Sequence, residues 1–264
     1  MATMQMSFFS KKLERLVPVT AIVPIEGKAE NGQKPAPLAS IYLLHGYSGI
    51  CTDWVLGSRI HELALKYNVA IFCPSGENSF YLDDEVGGKY YAAYVGEELV
   101  NFTRSLFPLS DKQEDTVIAG FSMGGYGALR NGLFFDKTFG AILALSSAMI
   151  TDRLSQMKPG EIDARGKSAE FYERLFGKLA DLPGGDKDIN ALIDRYVQNN
   201  GALPAMYLAC GTEDMGIDAC RALGKYMSEK PGNTLYEEWP GVHNWAFWDA
   251  AIERALEWWS KGRA

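Results

Sequence analysis

The chain has 264 residues, 47% hydrophobic and 22% charged, with 26 Lys and Arg against 33 Asp and Glu for a net charge of −7. These values belong to a folded chain with length enough for a sizeable core, and they exclude a disordered, collagenous or coiled-coil protein. With no Lys/Arg-rich run and no apolar stretch of ~18 residues, nucleic-acid binding has no electrostatic basis and a membrane span is excluded.

At the N-terminus, MATMQMSFFSKKLERLVPVT places its basic residues after its short apolar patch. A secretory signal has the opposite order, so a cytoplasmic location is expected. VPVTAIVP (17–24) reads as a strand, with MSFFSKKL as its hairpin partner. EGKAENGQKPAP (26–37) reads as an exposed connection.

The rhythm then changes. SIYLLHG (40–46), VAIFCPSG (69–76), TVIAGFS (116–122), AILALSS (141–147) and AMYLACG (205–211) are short, nearly continuous apolar runs that end in turn residues. Such runs fit strands buried on both faces of a parallel sheet. Helical stripes lie between and after them. Leu56, Ile60, Leu63 and Tyr67 form one, with Thr52 or Asp53 as N-cap; Tyr91, Val95, Leu99, Phe102 and Leu106 form a second. Trp245, Trp248, Ile252, Leu256 and Trp259 form a third at the C-terminus. Core packing against a sheet accounts for all three. Strand–helix alternation predicts one doubly wound α/β domain over 1–264, with its site outside the carboxyl ends of the strands.

Residues 148–203 break the alternation. They are charged and carry two helix-like pieces, at 171–176 and 189–196, and are expected to form a small lid over the strand ends. The alternative is an ordinary crossover with extra helices. Cys51, Cys73, Cys210 and Cys220 are scattered without a CxxC, so buried reduced thiols are expected rather than disulfides or a metal site.

Gly120-Phe121-Ser122-Met123-Gly124 matches GxSxG, and its context sharpens it. Ser122 ends a strand, and GGYGALRNGLF continues as a helix. A strand that runs directly into a helix forces a sharp, strained turn, flanked by glycines because side chains there would clash. The turn holds a serine hydroxyl at a helix N-terminus, where developing negative charge is favoured. A serine nucleophile needs a base, and the chain has three histidines. His61 lies among charged residues off its helical stripe, and His45 sits in the turn after a strand. His243 follows the strand-like LYEEWPG and precedes the C-terminal helix, last in chain order as the Ser…Asp…His sequence requires.

The base needs an acid to fix its tautomer. Asp214, in Gly211-Thr212-Glu213-Asp214 directly after a strand, is preferred; Glu213, read as a solvated neighbour, and Asp218 are the alternatives. Leu44-His45-Gly46-Tyr47-Ser48-Gly49 closes the first core strand. The N–H groups of Tyr47 and Met123 are the expected oxyanion donors, with Gly46 N–H as a substitute.

Taken together, LHGYSG with Asp53 and Trp54, PSGENSFYLD, AGFSMGGYGAL, CGTED and GVHNWAFW resemble the tributyrin esterase branch of the esterase D family, in order and over nearly the whole chain. The opening MQMSFFSKKL is also similar to that branch, and GFSMGGYGAL is the most specific piece. The resemblance implies an α/β-hydrolase fold with Ser122 as nucleophile, Asp214 as acid and His243 as base. It implies hydrolysis of small carboxylic esters with short acyl chains, through an acyl-enzyme and with no metal or organic cofactor. Some relatives take acetylated or feruloylated plant carbohydrate, and Trp54, Tyr81 and Trp245 are then the aromatic candidates for substrate contact, with core packing as the alternative. Others hydrolyse S-formylglutathione, but that branch has a longer, differently patterned stretch in place of LHGYSG. A catalytically dead fold kept as a binding module is disfavoured, because the whole triad and both glycines around Ser122 survive. The sequence leaves homo-oligomerisation open.

Overall fold

Period-two alternation builds the first elements. In the computed structural model, which describes residues 1–24 and 36–262, ATMQMSFFS forms strand β1 (Ala2–Ser10), its side chains alternating half-buried and exposed. The chain turns through Glu14 (φ 51°) and returns antiparallel as β2 (Arg15–Val23), in register from Ala2 opposite Val23 to Ser10 opposite Arg15. The predicted hairpin therefore forms. Most of the connection read at 26–37 lies outside the described residues.

The apolar runs become β3 (Ala39–Leu44) and β4 (Val69–Pro74), then, past a separate two-residue ladder of β5 (Asp83–Asp84) and β6 (Lys89–Tyr90), β7 (Thr116–Phe121), β8 (Ala141–Leu145) and β9 (Leu203–Gly211). GNTLYEEW adds β10 (Gly232–Trp239). The main sheet has eight strands in the order β1-β2-β4-β3-β7-β8-β9-β10. From β4 to β10 every pair is parallel, and β2 is antiparallel to both of its neighbours. β3, β4, β7 and β8 are buried along their whole length, so they read as nearly continuous apolar runs.

Alternate residues supply two core layers. Tyr42, Leu44, Ile118 and Ile142 face one layer, and Ile41, Leu43, Val117 and Leu143 face the other. Against the second layer pack α1 (Asp53–Gly57), α2 (Ile60–Lys66) and, later in the chain, the C-terminal helix. The first layer receives α3 (Tyr91–Ala93), which runs through a π-helical turn at Tyr94–Glu98 into α4 (Leu99–Leu106), and α5 (Met123–Phe134). Beyond β8 come α6 (Thr151–Ser155), α7 (Ala169–Phe176), α8 (Ile189–Asn200) and α9 (Ile217–Ser228); α10 (Trp245–Lys261) closes the chain with Trp248, Ile252, Leu256 and Trp259 buried.

Two expectations are corrected. The stripe Leu56–Ile60–Leu63–Tyr67 is not one helix: Leu56 is 82% exposed, and the chain breaks at Ser58 (φ −145°, ψ 171°). The break is tertiary, because Asp249 of α10 takes both the Arg59 backbone N–H at 2.7 Å and its Nε at 2.8 Å. The reading of 148–203 as one lid-like insertion is also too long. In α8, Ile189, Leu192, Ile193 and Tyr196 are buried in the first core layer. Its leading turn is fastened to α5 by Tyr126 Oη to Lys187 O (2.8 Å) and by Arg130 to Asp186 Oδ2 (2.8 Å). It is a crossover helix in the layer.

Candidate active site

Ser122 sits between β7 and α5 with φ 55° and ψ −118°, a left-handed conformation that a non-glycine residue keeps only when its surroundings enforce it. The enforcement is visible. Ser122 N–H donates to Leu145 O (2.9 Å), and Ser122 O accepts from Tyr126 N–H (3.1 Å) and Ala148 N–H (2.9 Å). The two flanking glycines are required by close backbone approach. A Cβ at Gly120 would fall 2.4 Å from Gly124 O, and one at Gly124 2.5 Å from Leu44 O.

The turn after β10 presents His243, and Asn244 caps α10 by accepting from Phe247 N–H at 3.1 Å. His243 Nε2 lies 2.9 Å from Ser122 Oγ, and Nδ1 lies 2.8 Å from Asp214 Oδ2. A carboxylate only accepts, so Nδ1 carries the proton and Nε2 is free to accept from the serine. Asp214 is 3% exposed, and its other oxygen accepts from Gly216 N–H at 2.9 Å. Burial pushes the Asp214 carboxyl up, but the bonds from His243 and Gly216 outweigh it and hold the group below the usual aspartate value. Trp248 stands edge-on beneath the imidazole, 5.0 Å between centroids, and stacks on Phe121 at 4.1 Å.

Of the alternative acids, Asp218 is exposed and pairs with Arg221 at 3.7 Å. Glu213 is exposed but not simply solvated. Its Oε2 accepts from Gly241 N–H (2.5 Å), while its own N–H donates to Gly241 O (3.0 Å). It clips the His243 loop to the Asp214 turn. No periodicity along the chain signals this clip, which joins residues 28 positions apart.

The loop after β3 is held by His45, which is 1% exposed. Its Nδ1–H donates to Gly46 O (2.7 Å), and its Nε2 accepts from Gly76 N–H (2.8 Å), so the neutral ring ties two loops together. Burial pushes its pKa below the ordinary histidine value. Gly46 rests on Phe121, where a Cβ would come within 2.4 Å of the ring. The backbone N–H groups of Tyr47 and Met123 donate to no acceptor among the described residues. His61 is remote from this site and bonds Thr3 Oγ1 at 3.0 Å.

The aromatic candidates for substrate contact divide. Trp54 and Tyr81 are fully buried and are corrected to core. Trp54 Nε1 donates to Leu44 O (3.1 Å), and Tyr81 Oη donates to His45 O (3.1 Å), so each spends its polar atom bracing the loop after β3. Trp245 is half-buried and packs edge-on against Trp54 and Phe121 at 5.4 and 4.9 Å, away from the cavity beside Ser122.

That cavity, about 390 Å³, is lined by Ser122 and His243, by Ala148, Met149 and Ile150, and at its rim by Arg153 and Arg165. A neighbouring chamber of about 280 Å³ lies between Tyr47, the loop after β4 and α7. Among the described residues no cluster of His, Cys, Asp or Glu could hold a metal ion, and no helix is long and apolar enough to cross a membrane. All four cysteines are buried free thiols.

Comparison with known proteins adds independent findings. Residues 29–259 match the family model described as "Putative esterase". An acetyl esterase of Caldicellulosiruptor saccharolyticus is 46% identical over 264 residues, 99% of each chain. Among solved structures, a substrate-bound fluorophosphonate-binding serine hydrolase of Staphylococcus aureus aligns with a TM-score of 0.84 at 27% identity, covering 98% of each chain. An S-formylglutathione hydrolase of the same organism, as apoenzyme, aligns at 0.82 and 26%, again over 98% of each chain.

Proposed function

The chain belongs to this esterase family and is a serine carboxylic ester hydrolase, and on that premise we propose that Ser122, His243 and Asp214 are its catalytic triad, acting on small esters with short acyl groups. The observation that carries the assignment is the hydrogen-bonded line from Asp214 Oδ2 through His243 to Ser122 Oγ, at 2.8 and 2.9 Å. Ser122 Oγ attacks the ester carbonyl carbon while His243 Nε2 takes its proton. Tyr47 and Met123 N–H groups hold the oxyanion, and Asp214 stabilises the imidazolium. The tetrahedral species collapses as His243 returns the proton to the leaving alcohol. Water then attacks the acyl-enzyme by the same route and releases the carboxylic acid and the free serine.

Acetyl esters are the first substrates to test, supported by the name of the 46%-identical relative. The closer placing in the tributyrin esterase branch rests on the quoted motifs and extends the range to butyryl. The chain from Ala148 to α7 acts as the lid of this reading, because Ala148, Met149, Ile150 and Arg153 wall the cavity beside Ser122. In a walled cavity each methylene that fits adds ~0.8 kcal/mol of burial, and one that does not fit costs ~1–3 kcal/mol. Four buried free thiols support a cytoplasmic setting.

The test is a series of 4-nitrophenyl esters from acetyl to dodecanoyl. kcat/KM should rise modestly over the shortest chains and fall sharply past a threshold near butyryl. A profile that keeps rising to long chains would show an open groove.

A further inference from the structure

The chamber over Tyr47 is not used by the triad, and its lining carries more cations than anions. Lys89, Lys167 and Arg174 line it against Glu77 and Asp84, an excess of one cation in a protein of net charge −7. The pairing inside it shows which cation is uncommitted. Arg174 Nε meets Asp84 at 3.1 Å. Glu77 is shared by Arg15 at 2.6 Å and Lys89 at 3.6 Å. Lys167 has no carboxylate partner among the described residues; its Nζ is held 4.7 Å over the Phe171 ring, an arrangement that leaves its N–H donors available.

The carboxylate that binds the Lys167 backbone is already spent. Asp163 accepts from the Lys167 backbone N–H (3.0 Å), from Arg165 N–H (2.9 Å) and from Tyr172 Oη (2.7 Å), and its side chain is 5% exposed. The loop is thereby fixed, with Lys167 lining this chamber and Arg165 lining the cavity beside Ser122. Tyr47 ties this chamber to the proposed chemistry. Its backbone N–H is the proposed oxyanion donor, and the residue lines the chamber, with its ring packed on Phe80 at 6.1 Å. Phe171 and Leu175 give the chamber an apolar side as well.

We propose that this chamber is a subsite for a carboxylate carried by the ester away from its reacting carbonyl, with Lys167 as the contact that selects it. The substrate class is a small ester with an apolar body and an anionic end. The inference rests on the triad reading for its geometry.

The experiment uses the full chain and two ester pairs matched in chain or ring framework. 4-Nitrophenyl hemisuccinate against 4-nitrophenyl butyrate places the carboxylate on the acyl side; 4-acetoxybenzoate against its methyl ester places it on the alcohol side. Wild type should prefer the anionic member of at least one pair. Lys167→Gln should lower kcat/KM for that member by about tenfold, through KM, and change its neutral counterpart less than twofold. Lys167→Glu should lower it further, Lys167→Arg should retain it, and added salt should erode the preference. Fluorophosphonate labelling and neutral-ester turnover report the triad separately, so a dead wild-type enzyme would count against the triad and not the chamber. Labelling at wild-type rate with ester ratios unchanged in all three variants would overturn the subsite.

Discussion

Gly124→Ala probes whether the nucleophile turn and the oxyanion loop form one packed unit. The added Cβ would lie 2.5 Å from Leu44 O and 2.6 Å from His45 O, distances that real Cβ atoms do not show below 3.0 Å. Both obstacles are backbone, so the chain at Leu44–His45 must retreat by roughly half an ångström, a strain costing about 1–3 kcal/mol. At ~2–4 °C per kcal/mol for a chain of this size, the protein should stay folded with a lowered Tm. The retreating segment leads directly into Tyr47, the proposed oxyanion donor. Misplacing a catalytic group by ~1 Å costs ~10²-fold, and losing one oxyanion donor ~10²–10³. We expect kcat on 4-nitrophenyl acetate to fall by a factor of ~10–100. KM should change little, since the donors act on charge that develops only in the transition state. Gly201→Ala is the control: with φ 82° and nothing within 4 Å of its Cβ, it adds backbone strain at the end of α8 without a clash. Steady-state kinetics beside thermal unfolding decide the matter. A folded Gly124→Ala enzyme with wild-type kcat would refute the coupling of the two loops.

Ser122→Ala should leave the Tm nearly unchanged and lower turnover by ~10³-fold or more; substantial residual activity in a clean preparation would remove the nucleophile assignment. Asp214→Asn should be far more damaging than Glu213→Gln, whose side-chain oxygen can still accept from Gly241 N–H. Glu213→Ala, which deletes that clip, should fall between them with the loss in kcat; the reverse order of damage would transfer the acid role to Glu213. The Asp214 carboxyl, held below its usual value, contributes stability that is full above the unfolded pKa and is lost as pH falls through the lower folded one. Below about pH 4 the wild type should therefore lose stability more steeply than Asp214→Asn. Parallel acid-unfolding curves would contradict this sign.

Replacing 171–176 wholesale with a flexible linker is a poor test of the lid, for a reason the sequence did not carry. Phe176 is 2% exposed and packs on Phe80 and Tyr126 at 5.2 and 5.9 Å, so the swap would open the core beside α5. Substitution of Ile150 alone, half-buried at the wall of the cavity beside Ser122, is the cleaner perturbation.

The core strands and the chain order of the triad candidates were legible in the residues alone. The five buried runs needed no tertiary information, because a strand covered on both faces is apolar at nearly every position. GxSxG was legible because a strand-to-helix turn tolerates only glycine on its flanks, a constraint local enough to be written in five residues. With three histidines, elimination led to His243, which the fold carries across 121 positions of sequence to Ser122.

Contacts between segments distant in sequence were set by the fold and not by local pattern. The helical stripe from Leu56 to Tyr67 broke because Asp249, far along the chain, captures Arg59. Helix α8 read as lid because amphipathicity fixes which face is buried but not against what. Trp54 and Tyr81 had the size and chemistry for substrate contact, yet their polar atoms brace backbone carbonyls from inside the core. Glu213 looked like a solvated neighbour of Asp214, and its clip on Gly241 appears only when β9 and β10 are laid side by side. A side chain's type limits what it can bond, but its partner is chosen by the register of strands and helices, and that register is a property of the whole fold.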